Sequence, residues 1–256
     1  MKVAILAGGY GTRLSEETDL RPKPMVEIGG KPILWHIMRH YAHFGYNDFV
    51  ILAGYKSYMI KEYFLNYGPH RGDFTIEMKS GKTTYHSNSG EDWRVTILDT
   101  GLDTMTGGRL LRAKSHLENS PFLLTYGDGV SDVNLLKLVE SHQQRKATVT
   151  LTTVQPEARF GLLEFGKNDQ ILSFSEKPKG DGAWINAGFF VCEPEIFKYL
   201  DRGDDTIFER SPMEALAAQG KLFAYRHKGF WKCMDTLRDK TQLETMWQEK
   251  QVAWQL

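Results

Sequence analysis

The chain has 256 residues, and its 32 basic and 32 acidic side chains give a formal net charge of zero. That balance gives no basis for binding nucleic acid or a membrane through overall charge, so we expect neither as a partner, although it is compatible with a local basic pocket. Apolar residues make up 41% of the chain and charged residues 25%, which is typical of a globular protein, and the length suits one large α/β domain.

The cysteine content and the apolar runs bear on the cellular compartment. Cys192 and Cys233 are the only cysteines and form no C-x-x-C motif, as is typical of reduced thiols in a cytosolic protein. The chain starts with a strand pattern rather than a signal peptide, and none of its apolar runs approaches the length of a membrane helix. We therefore expect a cytoplasmic location.

The first predicted elements are a buried strand and a glycine loop, in the string M-K-V-A-I-L-A-G-G-Y-G-T-R-L. Val3–Ala7 is an apolar run of strand length. Three glycines follow at once and allow backbone N–H groups to point at an anion, namely Gly8, Gly9 and Gly11. Arg13 adds a permanently charged fork, and Lys23, within R-P-K-P-M, adds a second cation. The pattern predicts a phosphate site, and a plain glycine turn beside two solvated cations is the alternative.

The next elements alternate between helix and strand. Residues 31–45 have apolar side chains at helical spacing and predict a helix, whose opposite face carries His36, His40 and His43. We expect this histidine face to be solvated or to contact another subunit, because it has no nearby cysteine or carboxylate that would complete a metal site. A second buried strand at Asp48–Ala53 and a helix at 56–64 complete a β-α-β-α pattern, which predicts a parallel sheet.

The alternation stops in the insertion, residues 70–92, which is polar, rich in glycine and without a helical period. A short strand is predicted at 74–78 inside it. Long insertions of this kind are lids, contact arms or flexible loops. Because Phe74, Ile76, Tyr85 and Trp93 lie in or beside the insertion, we expect it to reach a neighbouring subunit of a homo-oligomer, a trimer or hexamer.

The rest of the chain resumes the α/β pattern. Residues 104–111 (T-M-T-G-G-R-L-L) form a second glycine-bearing turn that opens a helix. Phe122–Tyr126 is a strand that ends at G-D-G, so Asp128 falls where open α/β sheets bind ligands. Asp132 is the predicted start of the following helix. Further strands are predicted at 93–98, 147–154, 184–191, 222–226 and 231–234, a hairpin at 162–174, and helices at 193–200, 212–219 and 236–247.

Two strings resemble the signature of the sugar-1-phosphate nucleotidylyltransferases, namely L-A-G-G-Y-G-T-R-L and P-K-P-M. The segment fits neither a Walker loop nor the Rossmann fingerprint. Five shorter matches follow in the family's order, G-D-G at 127–129, F-G at 160–161, E-K-P at 176–178, N-A-G at 186–188 and W-x-x-x-D at 231–235. The nearest members are those that use CTP and glucose 1-phosphate. The chain departs from the thymidylyl and uridylyl members at 15–18 and in their base-reading loop, where 104–111 stands instead.

The resemblance implies a fold and a reaction. The implied fold is a Rossmann-like, mixed and mostly parallel sheet flanked by helices, as in nucleotide-diphospho-sugar transferases. One domain would span 1–256, with a nucleotide half to about 128 and a sugar half after it. The implied reaction is attack by the phosphate of a hexose 1-phosphate on the α-phosphate of a nucleoside triphosphate, which releases pyrophosphate. Since the nucleophile is already ionised, the protein has to supply charge neutralisation and in-line positioning rather than a catalytic base.

The resemblance also assigns residues to the two substrates and to a metal ion. Arg13 and Lys23 are the implied catalytic residues. The implied nucleotide-binding residues are Leu6, Ala7, Gly8, Gly9, Gly11, Thr12, Arg13, Lys23, Thr104, Gly108, Arg109, Gly127 and Asp128. The implied sugar-binding residues are Gly161, Glu176, Lys177, Asn186 and Gly188. Mg²⁺ is the implied cofactor, with Asp128 and Asp235 as its ligands, because this hard ion takes one or two carboxylates together with phosphate oxygens.

The base preference follows from donor and acceptor chemistry at the turn where relatives read the base. Cytosine offers two adjacent acceptors, whereas uracil and thymine offer a donor at N3, so an arginine fork pairs with cytosine and clashes with the others. We therefore expect Arg109, with Thr104 and the backbone of Gly107 and Gly108, to select CTP. An arginine on a helix surface is the alternative, and the backbone near Ala7 and Gly8 would then read the base.

Other functions stay open at this point. The same chemistry with UTP or dTTP is the first alternative, and a non-catalytic nucleotide-sugar sensor is the second. A transferase for a small alcohol phosphate is the third, and the matches to a sugar pocket argue against it. Asp128 as a plain turn residue, Asp235 as a cap of the last helix and Lys177 as a surface lysine are the corresponding structural alternatives. For the CTP-using members, the resemblance places the product in bacterial dideoxysugar and surface-polysaccharide synthesis.

Overall fold

The computed structural model describes residues 1–86, 90–156, 162–165, 167–175 and 183–254 of the chain. The strands are β1 (Val3–Ala7), β2 (Glu27–Ile28), β3 (Lys31–Pro32), β4 (Asp48–Ala53), β5 (Phe74–Glu77), β6 (Lys82–Tyr85), β7 (Arg94–Asp99), β8 (Phe122–Tyr126), β9 (Gly129–Ser131), β10 (Val149–Val154), β11 (Leu162–Phe165), β12 (Ile171–Ser175), β13 (Ile185–Cys192), β14 (Leu222–Arg226) and β15 (Trp231–Cys233). The α-helices are α1 (Ser15–Thr18), α2 (Ile33–His43), α3 (Ser57–Leu65), α4 (Thr106–Arg112), α5 (Lys114–Leu117), α6 (Leu135–Arg145), α7 (Ser211–Ala218) and α8 (Leu237–Gln248). Short 3₁₀ helices are formed by Thr12–Leu14, Lys23–Met25, Lys167–Asp169, Pro194–Tyr199 and Gly203–Asp205.

A seven-stranded sheet with the order β14-β10-β13-β8-β1-β4-β7 forms the centre of the fold. The strands β8, β1, β4 and β7 are parallel neighbours, and β10 is parallel to β14. The strand β13 runs antiparallel to both of its neighbours, β10 and β8. The predicted mixed and mostly parallel sheet is therefore confirmed. The chain order reverses on either side of β1, which makes the carboxyl ends of β1 and β8 a topological switch point.

Alternate residues of β1 point into two hydrophobic cores, one on each face of the sheet. Val3, Ile5 and Ala7 belong to the first core, where Tyr41, Phe49 and Phe189 are fully or almost fully buried. Ala4 and Leu6 belong to the second core, which includes Phe122, Phe190 and Phe208. Because a strand turns successive side chains to opposite faces, an apolar run without polar interruptions fits only a strand that is covered on both sides.

Two of the three histidines on the predicted histidine face of α2 are buried, so the prediction that this face is solvated or contacts another subunit is wrong for His36 and His40, whereas His43 is exposed. These two residues are 2% and 3% exposed. The C-terminal Trp254, 2% exposed, closes over this side of α2 and donates from Nε1 to Nδ1 of His36 over 3.3 Å. Burial lowers the pKa of His40 to about 4, so this imidazole stays neutral. Helical spacing alone cannot show that a distant segment covers a polar face.

The starts of two helices bear on the site, because that of α6 differs from the prediction and that of α8 excludes an alternative. The cap of α6 is Asn134, whose side chain accepts from the Lys137 N–H, whereas Asp132 pairs with His227 at 2.8 Å. The cap of α8 is Thr236, in a capping box with Asp239. Asp235 is therefore not the cap of the last helix, and its carboxylate is available for other contacts.

The insertion contains a hairpin of β5 and β6, of which only the first strand was predicted. Its strands pair antiparallel from Phe74 opposite Tyr85 to Glu77 opposite Lys82. All eight residues of these strands are exposed, so the hairpin lies at the surface of the described part of the chain. Such an uncovered two-stranded hairpin is marginally stable in water by itself.

Within the described ranges, no helix is long and apolar enough to cross a membrane.

Candidate active site

The loops that follow β1 and β8 lie side by side at the carboxyl edge of the sheet. The Leu6 carbonyl accepts a hydrogen bond from the Gly127 N–H over 2.9 Å. A Cβ on Gly127 would lie 2.9 Å from the same carbonyl oxygen, so glycine permits this contact. Gly11 has a φ of 69°, a left-handed conformation that favours glycine, and leads into the short helix that carries Thr12 and Arg13. The predicted phosphate loop therefore sits at the switch point of the sheet.

Burial changes along the predicted nucleotide-binding stretch. Leu6, Ala7 and Gly8 are buried, whereas Gly9 and Thr12 are exposed. Gly9 and Thr12 are therefore the residues of this stretch that are accessible to a ligand from solvent.

Four charged side chains from distant parts of the chain meet beside this loop, and we call Arg13, Lys23, Asp128 and Asp235 the charge cluster. Nζ of Lys23 lies 2.7 Å from Oδ2 of Asp128 and 2.6 Å from Oδ1 of Asp235. Arg13 donates from NH1 to Oδ2 of Asp235 over 2.6 Å. The structure thus brings together both predicted catalytic cations and both predicted metal ligands.

Local backbone structure places the members of the charge cluster. Lys23 begins a 3₁₀ turn directly after Pro22, whose extended conformation sets the entry into that turn. Asp128 is the second of the two residues that connect β8 to β9. Asp235 follows β15, which pairs antiparallel with β9, and the Met234 N–H donates to the Asp128 carbonyl over 2.8 Å. The small β9–β15 ladder therefore fixes the separation of the two carboxylates.

Exposure to solvent increases across the charge cluster from Lys23 to Arg13. The Lys23 side chain is 11% exposed, those of Asp235 and Asp128 are 17% and 24% exposed, and that of Arg13 is 73% exposed. Burial disfavours the charged form of Lys23, but the attraction of Asp128 and the hydrogen bonds to both carboxylates outweigh it and raise the pKa of Lys23. Lys23 therefore stays protonated at neutral pH, and the cluster carries balanced charge.

The donor set of the charge cluster fits a divalent cation. Asp128 and Asp235 direct one carboxylate oxygen each at the same ammonium group, so the two side chains converge on one cation position. Carboxylate oxygens are the ligands that Mg²⁺ takes in nucleotide sites. The residues present therefore suit the metal ion that the sequence implies.

Cys233 is a neighbour of this position that the sequence analysis did not select. Its Sγ and one oxygen from each of Asp128 and Asp235 all lie within 4.8 Å of one another. Burial, with a smaller effect of the Asp128 charge, raises the pKa of the Cys233 thiol, so it is a neutral neighbour at physiological pH. The only signal in the sequence was its position inside the W-x-x-x-D motif.

Arg109, the predicted base-reading residue, is 4% exposed and lies beneath the glycine loop. Its NH2 donates to the carbonyls of Gly8 and Leu102 over 3.0 and 3.1 Å. Its NH1 donates to the Thr100 hydroxyl over 2.8 Å and to the Gly101 carbonyl over 2.7 Å. The guanidinium therefore joins the loop after β1 to the segment after β7, and the alternative of a surface arginine on α4 is excluded.

The other predicted base contacts also have partners within the chain. The N–H groups of Gly107 and Gly108 both donate to the Thr206 carbonyl, over 2.8 and 3.1 Å. Thr104 is 7% exposed, and its methyl group would lie 2.8 Å from a Cβ on Gly108. This turn is packed against residues 204–206, and its role in reading the base stays a prediction.

Part of the predicted sugar site is described. The side chain of Asn186 accepts from the Gly188 N–H over 2.8 Å and donates to the Tyr126 hydroxyl over 3.2 Å. Gly188 has a φ of 81°, and a Cβ there would lie 2.4 Å from the Tyr126 ring. These contacts place Asn186 and Gly188 next to the strand that leads to Asp128. The remaining predicted sugar residues, Gly161, Glu176 and Lys177, lie outside the described residues.

Two further residues, Tyr126 and Glu209, connect Asn186 to the turn that carries Arg109. The Tyr126 hydroxyl donates to Oε1 of Glu209 over 2.6 Å, and the Thr106 hydroxyl donates to Oε2 over 2.7 Å. Sequence analysis missed both Tyr126 and Glu209. Tyr126 directly precedes the G-D-G motif and could have been noticed for that reason, whereas Glu209 lies in no motif.

Comparisons of sequence and of structure relate the chain to known proteins. The family model described as nucleotidyl transferase matches residues 2–239. The chain is 51% identical over 255 residues to the glucose-1-phosphate cytidylyltransferase of Salmonella typhimurium, across 99% of this chain and 98% of that protein. It is 44% identical over 256 residues to the probable glucose-1-phosphate cytidylyltransferase of Bacillus subtilis, across 100% of both chains. Among solved structures, HddC from Yersinia pseudotuberculosis shares the fold, with a TM-score of 0.68 and 22% identity over 96% of this chain and 99% of that one.

Proposed function

The chain belongs to the nucleotidyl transferase family, and we propose that its charge cluster is where CTP and α-D-glucose 1-phosphate react to give CDP-glucose and pyrophosphate. Cytidylyl transfer is supported by 51% identity to a glucose-1-phosphate cytidylyltransferase over nearly the whole length of both chains. The proposed location of the reaction is supported by the convergence of Lys23, Asp128 and Asp235 beside the glycine loop.

The chemistry asks the protein for charge neutralisation rather than for a nucleophile. The sugar phosphate arrives ionised and attacks the α-phosphate of CTP, so the barrier depends on positioning and on the negative charge of the phosphates. Lys23, fixed by its turn and buried stem, is suited to the phosphate at the reacting centre. Arg13, on the exposed side, is suited to the β- and γ-phosphates as they leave, together with the backbone N–H groups of residues 8–12.

Asp128 and Asp235 are the residues that would hold Mg²⁺. When bound there, the ion would neutralise charge on the phosphate oxygens and help to orient them. The chain's own contribution is the rigid β9–β15 ladder, which keeps both carboxylates at the edge of the phosphate loop. Substrate phosphates would compete with these carboxylates for the Lys23 ammonium group.

The sugar pocket is proposed to include Asn186 and Gly188, with Gly161, Glu176 and Lys177. Support for Asn186 comes from its fixed orientation between the Gly188 N–H and the Tyr126 hydroxyl. A cytoplasmic location, and supply of CDP-glucose to O-antigen and lipopolysaccharide synthesis, are parts of the same proposal and rest on the resemblance of the chain to its family.

Pyrophosphate release across a matrix of triphosphates and sugar phosphates tests the function. We expect the highest kcat/KM with CTP and glucose 1-phosphate, and lower values when UTP, dTTP or a hexose epimer replaces either substrate. A higher value with UTP or dTTP would contradict the proposed base. The absence of turnover with every pair would support the nucleotide-sugar sensor instead.

Removing one carboxylate tests the metal site. We expect Asp128→Asn and Asp235→Asn each to lower kcat by about 30- to 1,000-fold, because losing a ligand of a charge-neutralising ion costs about 2–4 kcal/mol of barrier. A Mg²⁺ titration of activity, with circular dichroism as the check of folding, measures this. Asp132→Asn is the matched control, since Asp132 lies close in sequence but pairs with His227. A variant with an unchanged Mg²⁺ dependence would remove its residue from the site.

Replacing Arg109 tests base selection. The guanidinium would select cytosine in one of two ways. It would give up a hydrogen bond to a loop carbonyl and donate to cytosine instead, or it would keep its hydrogen bonds to the carbonyls of Gly8 and Leu102 and so shape the base site. In both cases we expect Arg109→Ala to raise KM for CTP and to shrink the CTP-to-UTP ratio of kcat/KM by roughly 10- to 100-fold, the effect of one charge-assisted hydrogen bond.

Arg112→Ala is the control for Arg109→Ala, because Arg112 lies on the same helix and makes an exposed ion pair with Asp204. Arg109→Lys keeps the charge but not the fork, and covers the case in which the alanine variant unfolds. If the CTP-to-UTP ratio survives in both Arg109 variants, another group reads cytosine, with the backbone near Ala7 and Gly8 the first to examine.

The exposed hairpin supports a homo-oligomer in which β5 and β6 contact a neighbouring subunit. Phe74, Ile76 and Tyr85 are 43%, 46% and 54% exposed, an arrangement that a partner would stabilise by covering the apolar surface. We expect light scattering to show an oligomer for the full chain, and a smaller species after deletion of residues 71–88 or after substitution of these three residues by serine. Thr83→Ser with Thr84→Ser is the control on the same hairpin. A monomeric full-length chain at working concentration would rule the idea out.

A further inference from the structure

The two carboxylates of the charge cluster are already neutralised in the free chain by a cation that belongs to the chain. Lys23 Nζ contacts Oδ2 of Asp128 and Oδ1 of Asp235 at 2.7 and 2.6 Å. The other oxygen of Asp235, Oδ2, accepts from Arg13. The two oxygens that face a common position are thus both occupied by one ammonium group.

A divalent ion that used both of these oxygens would have to replace that ammonium group. Mg²⁺ or Mn²⁺ needs ligand oxygens at about 2.0–2.2 Å, and such an ion, lying between the same two oxygens, leaves no room for Nζ. Keeping Lys23 close would also place two like charges together in a partly buried site, where their repulsion is weakly screened. The carboxylate pair can therefore bind either Lys23 or the metal ion at this position.

The attachment of Lys23 makes it a strong competitor. Its Cα lies in a 3₁₀ turn between Pro22 and Pro24, and only 11% of its side chain is exposed. A Cβ on Gly11 would lie 3.3 Å from the Lys23 Cβ, so the glycine loop packs directly against the lysine stem. An ammonium group held in this way neutralises the carboxylates without loss of translational freedom, unlike a free ion.

Phosphate groups change this competition. Phosphate oxygens are strong acceptors for an ammonium group, and a triphosphate brings the negative charge that balances an added divalent ion. When phosphates take the Lys23 ammonium group, Asp128 and Asp235 lose their counter-ion and become ligands. In the free chain the cluster has two cations and two anions, so a metal ion alone would leave an uncompensated double charge.

We propose that Lys23 is the internal counter-ion that closes the metal site of the free enzyme, so that the divalent ion enters with the nucleotide and not before it. This role of Lys23 rests on the proposed function, and adds to its contact with the reacting phosphate. It assigns Lys23 a second, positioning role, which is exercised on Asp128 and Asp235 before any substrate is bound.

Binding of Mn²⁺ in the absence of nucleotide tests the proposal without any measurement of activity. Free Mn²⁺ is measured by electron paramagnetic resonance during a titration of the full chain. We expect weak binding by the wild type, and a dissociation constant lower by about tenfold or more in Lys23→Met, because the competing charge in contact with the carboxylates is gone. Arg13→Met, which frees only one oxygen of Asp235, should give a smaller gain.

Lys232→Met is the matched control. It removes the same charge from a neighbouring lysine that pairs with Asp239 rather than with the charge cluster, and should leave the Mn²⁺ affinity unchanged. The double variant Lys23→Met with Asp128→Asn should lose the gained affinity, which would locate it at the carboxylate pair. If Lys23→Met does not fold, Lys23→Gln keeps a hydrogen-bond donor without the charge and is expected to show the same gain.

Equal Mn²⁺ affinity of the wild type and the folded Lys23 variant would overturn the proposal, and so would tight binding of Mn²⁺ by the nucleotide-free wild type. Either result is independent of the proposed function, because the wild type's pyrophosphate release is measured separately. Conversely, a chain that turned over no substrate but gained Mn²⁺ affinity in Lys23→Met would keep the counter-ion role and lose the enzymatic one.

Discussion

One ammonium group holds the site together. Lys23 comes from the segment after the glycine loop, Asp128 from the end of β8, and Asp235 from the end of β15, yet all three meet within hydrogen-bond distance. Each partner lowers the cost of burying the others, because an unpaired charge at this depth would lose its hydration without compensation. The packing of the glycine loop, the β9–β15 ladder and the turn at Lys23 therefore depend on the same three charges being present together.

A second buried cation organises the other side of the glycine loop. Arg109 donates to backbone carbonyls after β1 and β7, so it ties the loop to the neighbouring segment. A Cβ on Gly8 or Gly54 would lie 2.2 or 2.3 Å from its NH1, which explains why glycine occupies both positions. The predicted phosphate loop thus contacts Arg109 on one side and the Lys23 stem on another, while Gly9 and Thr12 stay exposed.

The sequence predicted those parts of the fold whose physical cause lies within one short segment of the chain. The apolar runs Val3–Ala7, Asp48–Ala53 and Phe122–Tyr126 are strands at the predicted residues, because burial on both faces leaves a pattern in the strand itself. The resemblance to the family also predicted that Asp128 and Asp235 would meet, although Asp128 follows β8 of the central sheet and Asp235 follows β15 of the separate β9–β15 ladder. The buried state of His36 depends on Trp254, and the partners of Arg109 lie up to 101 residues away. Contacts of that kind leave no periodic signal.

The gradient of exposure across the charge cluster distinguishes the roles proposed for Lys23 and Arg13. Lys23 and the carboxylates are largely shielded, so their interactions keep their strength in salt and can position the reacting phosphate. Arg13 is 73% exposed, and exposed ion pairs contribute little net free energy, so its contact with Asp235 is easily exchanged for another anion. In the proposed reaction, a group that held pyrophosphate and then released it would benefit from such weak, exchangeable contact. We infer that binding and release are divided between the two cations, with Lys23 holding the reacting centre and Arg13 governing the exit.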